Sequence, residues 1–369
     1  MTYNFLIIGA GVSGLSAAVS LLQRGHRVTV LERGVAGGES SWAGGGILSP
    51  LLPWEYGEAM TALALRSMAG YANWLGPIET LAGVEAEFWR CGLLALDIDD
   101  VDRAQAWCAN RALSATRDMD LAKFLDRPSS PVQSALYLPD IAQVRNPRLI
   151  ATLVAAIKRL GGYIYEHCSI TGIHAQAGQI TAIQSSGQEW ATDCVILATG
   201  AWAGAGLGTL APVPHILPIR GQMLLFKLAP GALNTIIYRH GLYLIPRRDG
   251  HVLVGSTLED VGFDKSTDMA TRQRLHAEAA KLLPILNTVQ PVQHWAGLRP
   301  GSPDNIPIID RHPDFDNVFV NTGHYRYGVT MAPASAELLV DLIEGKTPAL
   351  DPEPYSWQAA LARSWGDQL

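Results

Sequence analysis

The chain has 369 residues, of which 48% are hydrophobic and 17% are charged. Such a composition supplies a large apolar core and excludes a disordered protein, and the length predicts about two domains at roughly 150 residues each. The formal net charge is −6, and the lysines and arginines are scattered along the chain. The sequence therefore lacks the positive patch that a nucleic-acid partner requires.

The four cysteines, Cys91, Cys108, Cys168 and Cys194, lie far apart in the sequence. They form no CxxC pair and have no histidine at metal-ligand spacing, so the pattern indicates neither a disulfide framework nor a metal site. We expect four buried thiols in a reducing cytoplasm.

Apolar residues dominate the segment from Phe5 to Leu22, which approaches the length of a membrane span or a signal peptide. No basic residues precede it, and three glycines divide it into a short strand and a short helix. We therefore expect no membrane segment here. The pattern predicts a βαβ unit with a strand over Asn4–Ile8, a helix over Leu15–Gln23 and a second strand over Arg27–Leu31.

A glycine-rich turn, Gly9-Ala10-Gly11-Val12-Ser13-Gly14, joins the first strand to its helix. Gly9 permits the tight turn, Gly11 lets the backbone approach a pyrophosphate, and Gly14 allows close contact between helix and strand. The start of the helix offers free N–H groups, and Glu32 at the end of the second strand is placed to accept hydrogen bonds from ribose hydroxyls. This context predicts a dinucleotide site, without deciding between NAD and FAD.

The loop Gly34–Gly46 is too rich in glycine for a helix, and it ends in Ser40-Ser41-Trp42-Ala43-Gly44-Gly45-Gly46-Ile47. Small side chains and bare amides of this kind are suited to lining a flat ring system. They favour FAD over NAD, as does the place of the fingerprint at the start of the chain. A flexible loop without a ligand is the alternative.

Helical periodicity continues along the chain, with prolines and glycines at several of the expected boundaries. The later predicted helices cover Glu58–Leu81, Val101–Leu125, about Asn146 to Leu160, Thr271–Leu283 and Ala332–Glu344.

Short apolar and alternating segments predict strands, and those between Pro218 and Ser256 predict an antiparallel sheet unlike the opening βαβ unit. The predicted strands cover Tyr163–Ser169, two pairs within Gly172–Gln184 and Glu189–Ala198, then Met223–Leu228, Thr235–Tyr238, Leu242–Pro246, His251–Gly255, Ile306–Ile309 and Val318–Asn321.

Six motifs follow one another along the chain and together resemble the D-amino acid oxidase superfamily, specifically its glycine oxidase branch, whose enzymes are tied to thiamine thiazole synthesis. The resemblance covers nearly the whole chain. The motifs are the N-terminal fingerprint, Ser40–Ile47, Ala198-Thr199-Gly200-Ala201-Trp202, Pro218-Ile219-Arg220-Gly221-Gln222, Gly297-Leu298-Arg299-Pro300 and Gly323-His324-Tyr325-Arg326-Tyr327-Gly328.

The resemblance implies an α/β fold in which a Rossmann-like FAD-binding domain is interleaved with an α+β substrate domain built on a mostly antiparallel sheet. Residues 1–85, 141–219 and 300–369 would form the first domain, and residues 86–140 and 220–299 the second. Non-covalent FAD and a homo-oligomer, often a homotetramer, are further implications.

Site residues also follow from the resemblance. Arg299 would hold the substrate carboxylate, Tyr243 would hydrogen-bond the same group, and Arg326 would sit beside them. A surface ion pair for Arg299 and a core position for Tyr243 are the alternatives. The residues expected to bind the cofactor are Gly9, Gly11, Val12, Ser13, Gly14, Glu32, Arg33, Ser40, Ser41, Gly45, Gly46, Ile47, Ile170, Gly200, Gly323, His324, Tyr325, Tyr327, Gly328, Val329 and Thr330.

The expected reaction is hydride transfer from the α-carbon of a small amino acid, with its amine neutral, to flavin N5, followed by reoxidation with O₂ to H₂O₂. No side chain is nominated as acid or base. Bulky Trp54, Glu55, Tyr56 and Tyr327, with an added acid at Glu259, depart from the family's pattern, so strict glycine preference is not expected. The alternatives are oxidation of secondary amines such as sarcosine or larger N-substituted glycines, and flavin binding without turnover.

Overall fold

The computed structural model describes residues 2–117, 119–125, 131–208 and 210–366. Within these residues the helices are α1 (Val12–Gln23), α2 (Ser40–Ala43), α3 (Glu58–Ala82), α4 (Val101–Asn110), α5 (Asn146–Arg159), α6 (Met269–Leu282), α7 (Gly328–Ile343) and α8 (Trp357–Ala362).

The strands of the same residues alternate with these helices at first and then dominate the centre of the chain. They are β1 (Asn4–Ile8), β2 (Arg27–Leu31), β3 (Trp89–Arg90), β4 (Leu93–Leu96), β5 (Ala135–Leu138), β6 (Ala142–Gln143), β7 (Tyr163–Tyr165), β8 (Ile170–Gln176), β9 (Gln179–Ser185), β10 (Gln188–Ala191), β11 (Cys194–Leu197), β12 (Leu217–Lys227), β13 (Ile236–Arg239), β14 (Leu242–Pro246), β15 (His251–Gly255), β16 (Glu259–Asp260), β17 (Gln293–Gly301), β18 (Ile308–Arg311) and β19 (Val318–Thr322).

The first of the two large sheets has six strands in the order β18-β19-β11-β1-β2-β7. Its strands pair in parallel except for β18, which runs antiparallel to β19. The central strands are continuous apolar runs, and all four residues of β11 are buried, as expected for a sheet covered by helices on its faces. Parallel strands direct their carboxyl ends to one edge, where ligands bind in such folds.

An eight-stranded sheet follows the path β16-β12-β15-β14-β13-β4-β5, with β17 also paired to β12. All its pairs are antiparallel except that of β13 with β4. Together the two sheets confirm the predicted α/β architecture with a second, mostly antiparallel sheet. Strands from residues 93–138 and 217–301 share this sheet. The division into domains stays a prediction.

The glycines of the fingerprint hold β1, α1 and β11 at close range. Gly9 has a φ of +107°, and a Cβ on it would lie 2.3 Å from the carbonyl oxygen of Ala198. A Cβ on Gly14 would lie 2.1 Å from the carbonyl oxygen of Gly9. No larger side chain fits at either position without moving backbone, so the start of α1 is fixed against the end of β1.

Helix α7 begins at Gly328, one turn before the predicted start at Ala332. Pro333 lies inside it and has no N–H to bond the carbonyl of Val329. The hydroxyl of Tyr71 on α3 donates to that carbonyl over 3.1 Å, and Ser67 accepts the N–H of Ala334 at 3.0 Å. Helix α3 thus replaces the backbone bonds that the proline disrupts, and α7 continues through it.

Two further predictions of local structure are wrong. Residues Ser40–Ala43, within the loop judged too glycine-rich for a helix, form the short helix α2. The predicted helix over Val101–Leu125 ends at Asn110, because Ala112 takes a φ of +54° and the N–H of Leu113 returns to Cys108. A 3₁₀ turn occupies Leu121–Lys123, and residue 118 lies outside the described residues.

The other predicted helices and every predicted strand overlap an observed element. The strand predicted over Tyr163–Ser169 ends at Tyr165, and β12 begins at Leu217 rather than Met223. No helix of the described residues is both long and apolar enough to cross a membrane.

We predict that Gly14→Ala destabilises the protein by about 1–3 kcal/mol, because the added methyl meets backbone that cannot move without separating α1 from β1. Gly70→Ala is the matched control, since Gly70 is also helical but has open space around its Cβ position. That substitution should stabilise α3 by up to about 1 kcal/mol. Thermal unfolding and retained flavin absorbance measure both effects, and equal midpoints for the two variants would contradict the packing argument.

Candidate active site

A cavity of about 980 Å³ opens where the carboxyl ends of β1, β2, β11 and β19 face the eight-stranded sheet. Its size is at the upper end of the range of about 300–1,000 Å³ that is usual for ligand sites. A large cofactor and a small second molecule therefore fit within the same space.

The fingerprint forms one end of this cavity. The carboxylate of Glu32 accepts the N–H of Ala10 at 2.9 Å and that of Gly34 at 2.8 Å, which fixes it in the wall. The N–H of Val12, at the start of α1, donates to Ser41 Oγ over 2.9 Å. A helix start and a fixed carboxylate side by side match the pyrophosphate and ribose of a dinucleotide.

The segment after α2 lies between the two sheets. A Cβ on Gly45 would lie 2.4 Å from Ile245 Cδ1. Gly46 has a φ of +76°, and a Cβ on it would lie 2.1 Å from the carbonyl oxygen of Val144. Glycine at both positions lets the backbone itself form the cavity wall there. A flat ring system can then lie against amides rather than side chains.

A buried arginine that the sequence analysis missed holds this segment. Arg247 donates to the carbonyl of Gly45 at 2.8 Å, to that of Val144 at 2.9 Å, and to the side chain of Gln143. Burial lowers the pKa of Arg247 to about 10, so it stays charged at neutral pH. In sequence, Arg247-Arg248-Asp249-Gly250 is typical of an exposed turn, so no local pattern indicated that Arg247 is buried.

We predict that Arg247→Met destabilises the protein by about 3 kcal/mol, since it leaves two buried carbonyls without a donor, and that it weakens cofactor retention. Arg248→Met is the matched control, because Arg248 is exposed and, within the described residues, its side chain hydrogen-bonds the carbonyl of Phe88 alone, at 3.2 Å. It should change stability by less than about 0.5 kcal/mol. The free energy of unfolding in urea and the release of flavin are measured for both variants. Similar losses of stability in Arg247→Met and Arg248→Met would refute the role of the buried guanidinium.

The start of α7 forms the middle of the cavity. His324 is buried, with Nε2 2.9 Å from Ser335 Oγ and Nδ1 3.4 Å from Ser13 Oγ. Burial lowers its pKa to about 4, so the ring is neutral at pH 7. Thr330 donates to the carbonyl of Ile47 over 3.0 Å, which ties α7 to the segment after α2. The positive end of the helix dipole thus points into the cavity and favours negative charge there.

Arg299 lies at the other end of the cavity. Its guanidinium donates to the carbonyl of Thr257 at 3.1 Å and to Ser256 Oγ at 2.6 Å. It lies flat on Gly221, where a Cβ would be 2.3 Å from Nη1. Among the described residues no carboxylate forms an ion pair with it, so the alternative of a surface ion pair is not what the structure contains.

Tyr243 and Arg326 line the cavity with Arg299. The Tyr243 hydroxyl has a thioether, Met223 Sδ at 4.0 Å, as its hydrogen-bond partner within the described part of the chain. Arg326 is exposed, its guanidinium carbon 5.3 Å from the ring centre of Tyr325, and no described carboxylate pairs with it. Two guanidinium groups and a hydroxyl with only a weak thioether acceptor among the described residues therefore face the same space, an arrangement suited to a carboxylate.

Two tyrosines close the cavity near Arg326. The hydroxyls of Tyr56 and Tyr327 lie 2.5 Å apart, and their rings meet edge to face at 5.4 Å. Burial raises the pKa of both phenols, so both stay neutral. The N–H of Leu51 also approaches the Tyr327 hydroxyl at 3.5 Å. Residues 51–56 are thereby attached to the start of α7.

Most of the predicted site residues line this one cavity. Two do not: Gly14 packs on Gly9, and Gly323 faces Ile216, where a Cβ would be 2.8 Å from Cδ1. The predicted residues that line it are Arg299, Tyr243, Arg326, Gly9, Gly11, Val12, Ser13, Glu32, Arg33, Ser40, Ser41, Gly45, Gly46, Ile47, Ile170, Gly200, His324, Tyr325, Tyr327, Gly328, Val329 and Thr330.

Three expectations about individual side chains are wrong. Trp54 is buried in the core and does not line the cavity. Glu259 is bonded to Arg220 and does not line the cavity either, so it adds no acid to the cavity wall. Cys168 is only half-buried and lines the cavity, whereas the other three thiols are buried.

Buried polar atoms without partners test whether a cofactor fits. Asn321 is fully buried at the end of β19, and neither its Oδ1 nor its Nδ2 is hydrogen-bonded within the described residues. Asn146 Oδ1 is in the same condition, and both side chains line the cavity. Because buried polar groups are almost always paired, these atoms indicate a polar ligand. Within the described part of the chain, no cluster of histidine, cysteine, aspartate or glutamate side chains could hold a metal ion.

Residues 4–342 match the family described as DAO, FAD dependent oxidoreductase. The chain belongs to this family. FAD is accordingly its cofactor, and the fixed Glu32, the glycine-lined wall and the unpaired asparagines fit that molecule.

Relatives of known identity cover almost the whole chain. A glycine oxidase of Pseudomonas putida is 43% identical over 369 residues, which is 98% of this chain and 100% of that protein. The bifunctional protein ThiO/ThiG of Trichormus variabilis is 33% identical over 351 residues, 93% of this chain and 53% of that protein. The crystal structure of glycine oxidase from Geobacillus kaustophilus superposes with a TM-score of 0.88 at 26% identity, covering 96% of this chain and 99% of that one.

Proposed function

We propose that this FAD-dependent oxidoreductase is an amino acid oxidase that deaminates glycine or another small amino acid. The observation that carries the proposal is Arg299, a cation at the wall of the cofactor cavity with no carboxylate partner among the described residues. A substrate carboxylate supplies that partner. The glycine oxidases that match nearly the full length of the chain support the substrate class.

The substrate carboxylate binds across Arg299, with the hydroxyl of Tyr243 as an additional donor. Charge-assisted bonds from a planar fork fix both the position and the plane of the carboxylate. Holding one end of a two-carbon substrate in this way orients its α-carbon toward the middle of the cavity, where α7 begins.

FAD held in this cavity would supply the acceptor for the hydride of the α-carbon, and O₂ would take up the two electrons as H₂O₂. The chain's own contribution is orientation and electrostatics. The N–H groups at Val329 and Thr330, at the start of α7, stabilise negative charge in the cavity, and neutral His324 holds Ser13 and Ser335 without adding charge. Transfer from a neutral amine requires no acid or base from the protein.

Secondary amines, such as sarcosine or larger N-substituted glycines, are the second candidate substrates. The cavity continues past Gly241 and Leu242 to Arg274 and Glu278 on α6. This additional space gives an N-substituent somewhere to lie, which favours this alternative over strict glycine preference.

A role in thiamine biosynthesis is part of the same proposal. The match to ThiO/ThiG, in which a relative of this chain is joined to a second protein, supports this role. O₂ as the acceptor, a homo-oligomer such as a homotetramer, and a cytoplasmic location are parts of the same proposal. Peroxide assay and light scattering on purified protein test the first two.

We predict that the purified yellow protein bleaches under anaerobic glycine, sarcosine or D-proline, and that Arg299→Ala lowers kcat/KM for its best substrate at least ~100-fold through the loss of two charge-assisted bonds. Arg90→Ala, at an exposed position outside the cavity, serves as the control. A protein that never bleaches is a flavin-binding protein without turnover. Unchanged kcat/KM in Arg299→Ala would exclude the carboxylate site.

We predict that Tyr327→Phe raises the ratio of kcat/KM for a large N-substituted glycine to that for glycine, because residues 51–56 lose their attachment to α7. Tyr56→Phe should do the same, and the double variant should add little, since both remove one hydroxyl pair. Steady-state assays with substituents of increasing size measure the ratio. Additive effects, or an unchanged ratio, would mean that the pair does not limit substrate size.

A further inference from the structure

The connection from β15 to α6, residues 256–268, begins with the two residues that hold Arg299. Ser256 Oγ accepts one end of the guanidinium fork at 2.6 Å, and the carbonyl of Thr257 accepts the other at 3.1 Å. If this connection moves, the two acceptors of the Arg299 guanidinium move with it. The position of Thr257 therefore affects the direction of the Arg299 side chain.

The Thr257 side chain is buried, and its hydroxyl oxygen reaches the neighbouring strand. Its Oγ1 accepts the backbone N–H of Gln222, on β12, at 2.9 Å. This bond ties the connection to the eight-stranded sheet.

Gln222 joins both ends of the connection. Its Nε2 donates to Glu259 at 3.1 Å and to Asp268 at 3.0 Å, and its Oε1 accepts from His294 Nε2 at 3.0 Å. The amide is fully buried and both of its ends are paired, so its orientation is fixed. Arg220 holds Glu259 from the other side at 2.6 Å.

The opposite face of the guanidinium leaves no freedom. Gly221 lies directly beneath it, so close that a Cβ would be 2.3 Å from Nη1. The fork is therefore held between the backbone of β12 and the connection. A shift of the connection by even a fraction of an ångström changes the direction of the donors.

We propose that Thr257 is a positioning residue, which through its bond to the backbone of Gln222 orients Arg299 for the carboxylate of the substrate. The proposal rests on the proposed function, in which Arg299 binds that carboxylate. Thr257 touches neither the substrate nor the reacting atoms. Its effect appears as substrate affinity that depends on the carboxylate, because misplaced donors lose bonds to that group alone.

The test compares Thr257→Val, which keeps the shape and removes the hydroxyl, with Thr257→Ser, which keeps the hydroxyl. Glycine and its ethyl ester are the two substrates, assayed on the cofactor-loaded enzyme. In Thr257→Val, KM for glycine should rise by about tenfold while kcat changes by less than about threefold and the ester is unaffected. Thr257→Ser should restore most of the affinity. Thr235→Val, a buried threonine outside the cavity, is the matched control.

Equal losses for glycine and its ester in Thr257→Val overturn the proposal, because general damage to the fold affects both substrates alike. A KM for glycine in Thr257→Val that equals that of the unaltered enzyme overturns the proposal as well. Arg299→Ala separates this result from a failure of the proposed function: if that variant also leaves glycine turnover unchanged, the carboxylate site itself is wrong. Loss of glycine affinity in Arg299→Ala together with normal Thr257→Val refutes the positioning role alone.

Discussion

The buried guanidinium of Arg247 joins the eight-stranded sheet to two segments outside it. Arg247 directly follows β14 and donates to the carbonyls of Gly45, after α2, and of Val144, after β6. Because a buried carbonyl without a donor is costly, these segments cannot separate from the sheet without leaving unpaired carbonyls. The place of the glycine segment in the wall of the cavity depends on this contact.

Positive charge is concentrated in the cavity of a chain that is acidic as a whole. Two helix starts and the forks of Arg299 and Arg326 point inward, while the imidazole of His324 and the phenols of Tyr56 and Tyr327 are kept neutral by burial. The neutral groups shape the space without competing for anions. Negative charge on a ligand in this cavity is therefore favoured.

Local patterns predicted the elements whose formation depends on nearby residues. The βαβ unit, α3, α5, α6 and the central antiparallel strands follow from periodicity and from glycine and proline at the boundaries. Helix α7 shows where that reasoning stops. The sequence predicted a start at Ala332, and the hydroxyls of Tyr71 and Ser67, from a helix about 260 residues away, support a start one turn earlier. The long helix predicted after Val101 failed for the opposite reason, since a positive φ at Ala112 ends it.

The sequence by itself determined the fingerprint, the order of the motifs and the residue types that bind a dinucleotide and a carboxylate, because these depend on spacing within a few residues. The tertiary structure decided which side chains are buried, paired or free. Arg247 and Arg248 are neighbours of equal charge, yet one is buried and the other is exposed. Glu259 pairs with Arg220 instead of lining the cavity, and no acid in the described part of the chain pairs with Arg299. Burial and pairing arise from contacts between distant segments, and no local pattern contains them.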